Sequence, residues 1–255
     1  MPALVTAQPA PAPAPPPPPQ RTAAEAAEAA EHELEPVYVW DLVVRLCHWA
    51  VVFSMLTLVV TGIDIGHPFL GGGHGKAGFT HGYVRVVHFY AAQLFTLAVG
   101  ARIVWMFRGP RVSGWRTFVP ASRRRQRGLV QTLLFYSALK SKPPESIAHN
   151  PMAGFTYLFV FGMYLLMIAS GFALYSSGAY TSYMHRFTFL VPLFGGLQNA
   201  RWIHHVTMWL LLCFVIQHVF SAILTSLAEK NGCVDSMFSG YKYLPRNRKP
   251  DDDRD

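Results

Sequence analysis

The apolar stretch from Trp202 to Ala228 constrains the fold of this chain more than any other feature. It contains no Asp, Glu, Lys or Arg, and an apolar run of this length is typical of a membrane-spanning helix. Polar residues at membrane depth are energetically costly, so the three histidines inside it, His204, His205 and His218, are candidates for a function. The stretch therefore predicts a membrane protein with a functional site inside the bilayer.

The spacing of these histidines indicates which kind of site the helix serves. His204 and His218 are fourteen residues apart, which places them roughly 21 Å apart on nearly the same face of a helix. His205 points to the opposite side from His218, so His204 is the expected site residue and His205 the alternative. Because the ligands of one metal ion lie within a few Å, this spacing favours two stacked haems, each completed by a second histidine.

The composition favours a membrane protein over a soluble or a nucleic-acid-binding one. The chain is 51% hydrophobic and 14% charged, whereas a soluble domain has about 25% charged residues. The net charge of +8 comes from basic residues that flank apolar runs, a pattern typical of membrane topology, so we expect no nucleic-acid partner. The three cysteines form no C-x-x-C-H motif, so we expect any haem to be bound non-covalently.

The hydropathy pattern predicts an all-α membrane protein, a bundle of four transmembrane helices. The Ala- and Pro-rich tail is expected to be disordered because it cannot build a core. The predicted parts are a tail over 1–36, a transmembrane domain over 37–230 and a C-terminal tail over 231–255. The predicted spans are about 42–63, 83–107, 152–175 and 202–228.

The basic residues predict the orientation of the bundle, because they collect on the cytoplasmic side of a membrane. The link between the first two spans has a single Lys or Arg, Lys76, and the link between the second and third spans has nine. Both termini and this long link are therefore expected in the cytoplasm. Within the link, residues 128–139 have the apolar spacing of a surface helix, and a solvated basic loop is the alternative.

With this orientation the histidines of the spans fall at two depths. His48 and His218 are expected near the cytoplasmic side, and His88 and His204 near the outer side. Two levels with two imidazoles each predict two haems with paired histidine ligands. A lone membrane histidine is more often a helix-packing residue, but four at matched depths make that reading weaker.

Further residues are candidate contacts of the cofactors. Arg85 and Arg201 each precede an outer histidine by three residues, and Arg102 follows His88 by fourteen. These arginines are candidate partners of haem propionates, with contact to lipid headgroups as the alternative. His149 and Asn150 precede the third span, and both side chains can donate hydrogen bonds to a bound molecule. Ordinary helix capping by Asn150 is the alternative there.

Motifs throughout residues 37–243 resemble the b-type cytochrome subunit of membrane-bound uptake Ni/Fe hydrogenases. Each motif is weak alone, and their joint occurrence is specific to this group. The motifs are Val39-Trp-Asp-Leu-Val-Val-Arg-Leu-Cys-His-Trp49, Gly82-Tyr-Val-Arg-Val-Val-His-Phe89, His149-Asn-Pro151, Trp202-Ile-His-His205 and Ser236-Met-Phe-Ser-Gly-Tyr241.

The resemblance implies an electron-transfer subunit of the cytoplasmic (inner) membrane that is not an enzyme alone. It would carry two haems b, with His48, His88, His204 and His218 as iron ligands. It would take electrons from the small subunit of a periplasmic hydrogenase, which also has a large subunit, and pass them to the quinone pool. His149 and Asn150 are then the candidate quinone site. Whether the complex forms a homo-oligomer stays open.

Three alternatives to this function follow from the sequence. The cytochrome subunits of formate dehydrogenase and thiosulfate reductase share the four-helix plan and are the nearest competitors. A haem-free membrane anchor, or a His-rich membrane protein that binds a metal ion through its outer loop, would belong to a different class.

Overall fold

The protein is built around four long helices and closed at one end by a small sheet. The computed structural model describes residues 34–69, 77–110, 113–118, 123–137, 139, 151–179, 182–229 and 231–245. In chain order the elements are β1 Leu34–Tyr38, α1 Leu42–Gly66, α2 Ala77–Arg108, a 3-10 turn Trp115–Thr117, α3 Arg123–Tyr136, α4 Pro151–Ser176, α5 Ser182–His185, α6 Leu190–Leu193, α7 Leu197–Glu229, α8 Ser236–Ser239 and β2 Tyr241–Pro245.

The predicted four long apolar helices are confirmed, and the chain is a multi-pass membrane protein. Within the described ranges, the helices that are long and apolar enough to cross a bilayer are Leu42–Gly66, Thr80–Arg108, Met152–Ser176 and Leu197–Ala228. Two of the long helices begin earlier than expected, α2 by six residues at Ala77 and α7 by five residues at Leu197. Gly195 and Gly196 have φ values of 77° and 106°, a left-handed backbone that ends the preceding turn and lets α7 begin at once.

The outer surface of the bundle is apolar, as a lipid environment requires. Leu97 and Phe107 on α2 are 70% and 69% exposed, and Leu227 on α7 is 69% exposed. Side chains of this kind are costly in water, so their exposure along the long helices matches contact with lipid tails.

The helices pack most extensively as two consecutive pairs, α1 with α2 and α4 with α7. Small side chains lie at the α1 interface at intervals of seven residues, namely Cys47, Ser54 and Thr61, all of them buried. Small residues let helix backbones approach closely inside a membrane. Aromatic contacts then join α2 to α4, with ring centroids 4.3 Å apart for Phe89 and Tyr175.

A two-stranded sheet that the sequence did not predict joins the two ends of the described chain. β1 pairs with β2 in antiparallel register, with Val37 opposite Lys242. β1 thus begins within the expected N-terminal tail and runs past its end, and β2 lies within the expected C-terminal tail. Trp40 donates to the Ser236 hydroxyl at 3.1 Å and packs in a buried cluster with Leu244. The sheet and α8 therefore cover the end of the bundle where α1 begins.

The long basic link contains a helix, α3, in agreement with the apolar spacing of residues 128–139. α3 packs against α4 through a face that includes the fully buried Thr132. Val130 and Leu133 on the opposite side are about half exposed. An apolar face turned away from the protein fits a helix that lies along a membrane surface.

The turn between α8 and β2 allows a direct test of the cap, by which we mean the two-stranded sheet and α8 at the end of the bundle. Gly240 has a φ of 88°, and an added Cβ would lie 2.6 Å from the Tyr38 ring and 2.9 Å from the Trp40 carbonyl. A left-handed non-glycine residue costs about 1–2 kcal/mol, and the contacts add to that cost. We expect Gly240→Ala to lower the melting temperature of the purified protein in detergent.

Gly178→Ala is the matched control, because an added Cβ there has no neighbour within 4 Å. It should leave the melting temperature nearly unchanged. Equal melting temperatures for the two variants would contradict a stabilising role of the cap.

Candidate functional site

Two imidazoles from different helices face each other near the start of α1. The ring centroids of His48 on α1 and His218 on α7 are 6.4 Å apart, with the planes inclined by 60°. The Tyr157 hydroxyl on α4 lies 3.3 Å from His218 Nδ1, and Phe214 stacks on the His218 ring at 5.5 Å. We call this end of the bundle the inner level. Here the structure brings together the two histidines that the sequence paired.

The other two predicted histidines lie at the opposite end, which we call the outer level. His88 on α2 has its Nδ1 2.8 Å from the Thr61 hydroxyl on α1. His204 on α7 has its Nδ1 2.9 Å from the Ser170 hydroxyl on α4. His204 is only partly exposed, whereas the neighbouring His205 is exposed. The helical-face argument therefore agrees with the position of His204.

The hydroxyl groups beside the outer rings bear on which ring nitrogen carries the proton. Thr61 donates its hydroxyl proton to the Thr57 carbonyl at 2.6 Å, and Ser170 donates to the Leu166 carbonyl at 2.8 Å. A hydroxyl that has used its one proton can only accept from its next neighbour. When each hydroxyl gives its proton to the carbonyl, Nδ1 of the imidazole is the donor and the lone pair of Nε2 is left to bind a metal.

The residues present fit a haem better than a bare metal ion. Metal–imidazole bonds of about 2 Å on either side of one ion place two ring centroids about 6 Å apart, which agrees with the inner pair. No group of three or more His, Cys, Asp or Glu side chains that could hold a metal ion is found among the described residues. A pair of imidazoles is the donor set for an iron whose other ligands come from a porphyrin.

Of the three arginines predicted to contact haem propionates, only Arg102 is buried, and it belongs to a polar network at the inner level. It is 8% exposed, donates from Nη2 to the Ser113 carbonyl at 3.2 Å and lies over the Phe118 ring at 5.5 Å. Its Nη1 is buried and has no hydrogen-bond partner among the described residues. This nitrogen is a donor for an anionic group.

The other two predicted arginines are at the surface. Arg85 is exposed, and Arg201 is exposed and donates to the Gln198 side chain at 2.7 Å. Their positions favour the alternative interpretation, contact with lipid headgroups. The candidate quinone residues His149 and Asn150 lie outside the described residues, and the helix that they precede begins at Pro151.

Sequence reasoning missed the groups that hold the histidines. Thr61, Ser170 and Tyr157 each place a hydroxyl beside an Nδ1 atom, yet a hydroxyl inside an apolar helix also occurs as a packing residue. One signal was available, since Thr61-Gly62 and Ser170-Gly171 repeat the same pair of residue types in two spans. The outer end also holds a fully buried carboxylate, Asp64, 3.4 Å from His81, which the sequence did not indicate.

The chain matches one protein family over most of its length. Residues 39–240 match the family of prokaryotic cytochrome b561. A probable Ni/Fe-hydrogenase B-type cytochrome subunit of Cupriavidus necator is 35% identical over 223 residues, 86% of this chain and 91% of that protein. The protein of the same name from Bradyrhizobium diazoefficiens is 33% identical, covering 80% of this chain and 85% of its own length. The corresponding hydrogenase 1 subunit of Escherichia coli K12 is 34% identical, with 80% and 90% covered.

The network around Arg102 gives a test based on pH. Burial raises the pKa of Asp41, but hydrogen bonds from the Val44 amide and the Ser113 hydroxyl, together with the charge of Arg102, outweigh it. The net pKa lies below the ordinary value of 3.8. A carboxyl group with a lowered pKa stabilises the folded protein above pH 3.8. This stabilisation disappears as the pH falls through the pKa that Asp41 has in the folded protein.

We therefore expect Asp41→Asn to lower the melting temperature at neutral pH. The difference in melting temperature from the protein without the substitution should shrink as the pH falls below 3.8. Asn keeps the ability to cap α1, so the difference isolates the charge. Asp235→Asn is the control, because Asp235 begins α8 without a side-chain capping bond. A difference for Asp41→Asn that does not change with pH would contradict the lowered pKa.

Proposed function

Because the chain belongs to the prokaryotic cytochrome b561 family, which includes the b-type cytochrome subunits of Ni/Fe hydrogenases, we propose that it is the electron-transfer subunit of a hydrogen:quinone oxidoreductase. The observation that carries the proposal is the facing pair His48 and His218 on two different helices. Two bound haems b supply one-electron transfer between the two sides of the membrane. The chain supplies their positions, their ligands and an apolar surrounding.

The ligand assignment rests on the two levels of imidazoles. His48 and His218 hold the inner haem, and His88 and His204 hold the outer one. The Nδ1–H groups of the outer pair are already engaged by hydroxyls, which supports Nε2 as the ligand atom. Two imidazole ligands per haem would leave the iron no position for oxygen, so the residues suit electron transfer.

Arg102 is the best-supported partner of a haem propionate. Its buried Nη1 has no partner among the described residues, and Ser113, whose carbonyl accepts from Arg102, donates its hydroxyl to Asp41 at the start of α1. A carboxylate there would receive a charge-assisted hydrogen bond. Arg85 and Arg201 remain weaker candidates for the outer haem because both are exposed.

The distribution of basic residues supports the orientation in the inner membrane. The long link with nine Lys and Arg and both termini lie in the cytoplasm, and the outer level faces the periplasm. The small subunit of the hydrogenase docks there and brings the large subunit with it. The names of the similar proteins favour a hydrogenase over formate dehydrogenase or thiosulfate reductase as the donor.

Quinone is reduced at the inner level beside His149 and Asn150. Asn150 directly precedes α4 in the sequence, and α4 carries Tyr157, whose hydroxyl lies 3.3 Å from His218 Nδ1. The amide of Asn150 can donate to a quinone carbonyl, and the imidazole of His149 can relay a proton from the cytoplasm. Proton uptake inside and hydrogen oxidation outside then separate charge without pumping.

The ligand assignment predicts a selective effect of His218→Ala. We expect the purified variant to lose one of two haems and keep the outer one, because His218 belongs to the inner pair alone. His48→Ala should lose the same haem. Haem quantification and reduced-minus-oxidised spectra at low temperature measure both changes.

His205→Phe is the matched control, since His205 neighbours His204 on the same helix but is exposed. It should retain both haems. A haem lost in His205→Phe, or a His218→Ala variant that lacks the outer haem, would contradict the pairing. Purified protein without any haem would favour the membrane-anchor or metal-binding alternatives.

The quinone site predicts that Asn150→Leu blocks the exit of electrons and not their entry. The variant should keep both haems and be reduced by hydrogen through its hydrogenase, but pass electrons to a quinone analogue more slowly. Stopped-flow reoxidation measures this step. Because loss of the cap costs about 0.5–2 kcal/mol, Asn150→Asp, which keeps a capping group, serves as the control for stability. Unchanged reoxidation in a folded Asn150→Leu variant would move the site elsewhere.

A further inference from the structure

We propose that Thr61 and Ser170 are a matched pair of positioning residues that hold the two outer imidazoles in one tautomer and lower the reduction potential of the outer haem. The inference rests on the proposed function, because it takes His88 and His204 as the ligands of that haem. It adds a role for two residues whose side chains would not touch the iron.

The two residues occupy equivalent places in the two helix pairs. Thr61 on α1 lies 2.8 Å from His88 Nδ1 on α2, and Ser170 on α4 lies 2.9 Å from His204 Nδ1 on α7. In both pairs the hydroxyl comes from the earlier helix and the imidazole from the later one. Both hydroxyls are buried, so water does not compete for them.

Each hydroxyl is itself fixed by the helix that carries it. Thr61 donates to the carbonyl four residues earlier at 2.6 Å, and Ser170 does the same at 2.8 Å. The result is a chain of two hydrogen bonds, from the imidazole to the hydroxyl and from the hydroxyl to the backbone. A backbone carbonyl only accepts, so a hydroxyl that donates to the carbonyl can only accept from the imidazole.

A glycine follows each hydroxyl residue and allows the ring to approach. An added Cβ would lie 3.4 Å from His88 Cε1 at Gly62 and 3.3 Å from His204 Cε1 at Gly171. The contact at Gly171 is closer than ordinary van der Waals contact and the one at Gly62 is at its lower limit, so a side chain at either position would press on the ring. The repeated hydroxyl–glycine pair therefore fixes both the position and the orientation of each outer imidazole.

The hydrogen bond has an electronic consequence for the metal. An acceptor at Nδ1–H raises the basicity of Nε2, and a more basic ligand stabilises the oxidised iron. Removing the acceptor should therefore raise the reduction potential. At the inner level the corresponding contact, from Tyr157 to His218, is longer at 3.3 Å.

The test compares hydroxyl-deleted variants of the full-length protein with its haems bound. Thr61→Val keeps the shape of the side chain, and Ser170→Ala removes little more than the hydroxyl. In a redox titration the two haems appear as two components. Each variant should raise the reduction potential of the same component, the outer haem, and leave the potential of the other unchanged. The ferric low-spin EPR signal of that haem should change with it, because it reports ring orientation.

Matched controls separate this effect from general changes in packing. Thr57→Val removes a hydroxyl that donates to the Phe53 carbonyl, and Ser176→Ala removes one that donates to the Ala173 carbonyl. Both should leave the two potentials unchanged. Thr61→Ser restores the hydroxyl and should restore the potential.

The outcomes distinguish this inference from the proposed function. If the protein without substitutions gave no EPR signal of a haem with two imidazole ligands, the proposed function itself would be refuted. Both haems present with unchanged potentials in Thr61→Val and Ser170→Ala, or shifts of two different components, would overturn the positioning role alone. If Thr61→Val loses only the outer haem and Thr61→Ser keeps it, the role is supported. Loss of both haems in both hydroxyl variants would overturn it in favour of a structural role.

Discussion

An N–H group inside a bilayer must find its acceptor within the protein, because lipid tails offer none. The outer imidazoles meet this requirement on a neighbouring helix, His88 at Thr61 and His204 at Ser170. Each bond joins the two helices of a packed pair, α1 to α2 and α4 to α7. The same contacts therefore hold the bundle together and orient the candidate ligands, and a change in one pair of helices acts directly on the site.

The inner level is organised differently, because chain segments outside the long helices cover it. Trp49, next to His48, donates to the Met237 carbonyl at 3.0 Å and packs against Phe238 at 4.6 Å. Arg45, one turn earlier, donates to the Phe238 carbonyl. The C-terminal segment thus fixes the start of α1 and the surroundings of His48, as the hydroxyls fix the surroundings of the outer histidines.

Properties that depend on one helix at a time were predictable from the sequence. The four long helices follow from length and hydropathy, and the meeting of His48 with His218 follows from their depths along two helices. Partners on other elements were not predictable. The pairing of Val37 with Lys242 joins residues at opposite ends of the chain, and nothing local sets its register. The role of Thr61 depends on which helix packs beside it. The burial of Arg102 depends on Ser113 and Phe118, which lie outside its helix.

The division of the bundle into two consecutive helix pairs has a consequence for biogenesis. His48 and His88 lie on α1 and α2, and their counterparts His204 and His218 both lie on α7, the last long helix. A ribosome that has released only the first pair has produced one imidazole for each level and completed neither. Both levels become complete when a single helix enters the membrane, and β2 then joins β1 to close the inner end. The order of synthesis thus delays both pairs until the chain is nearly finished.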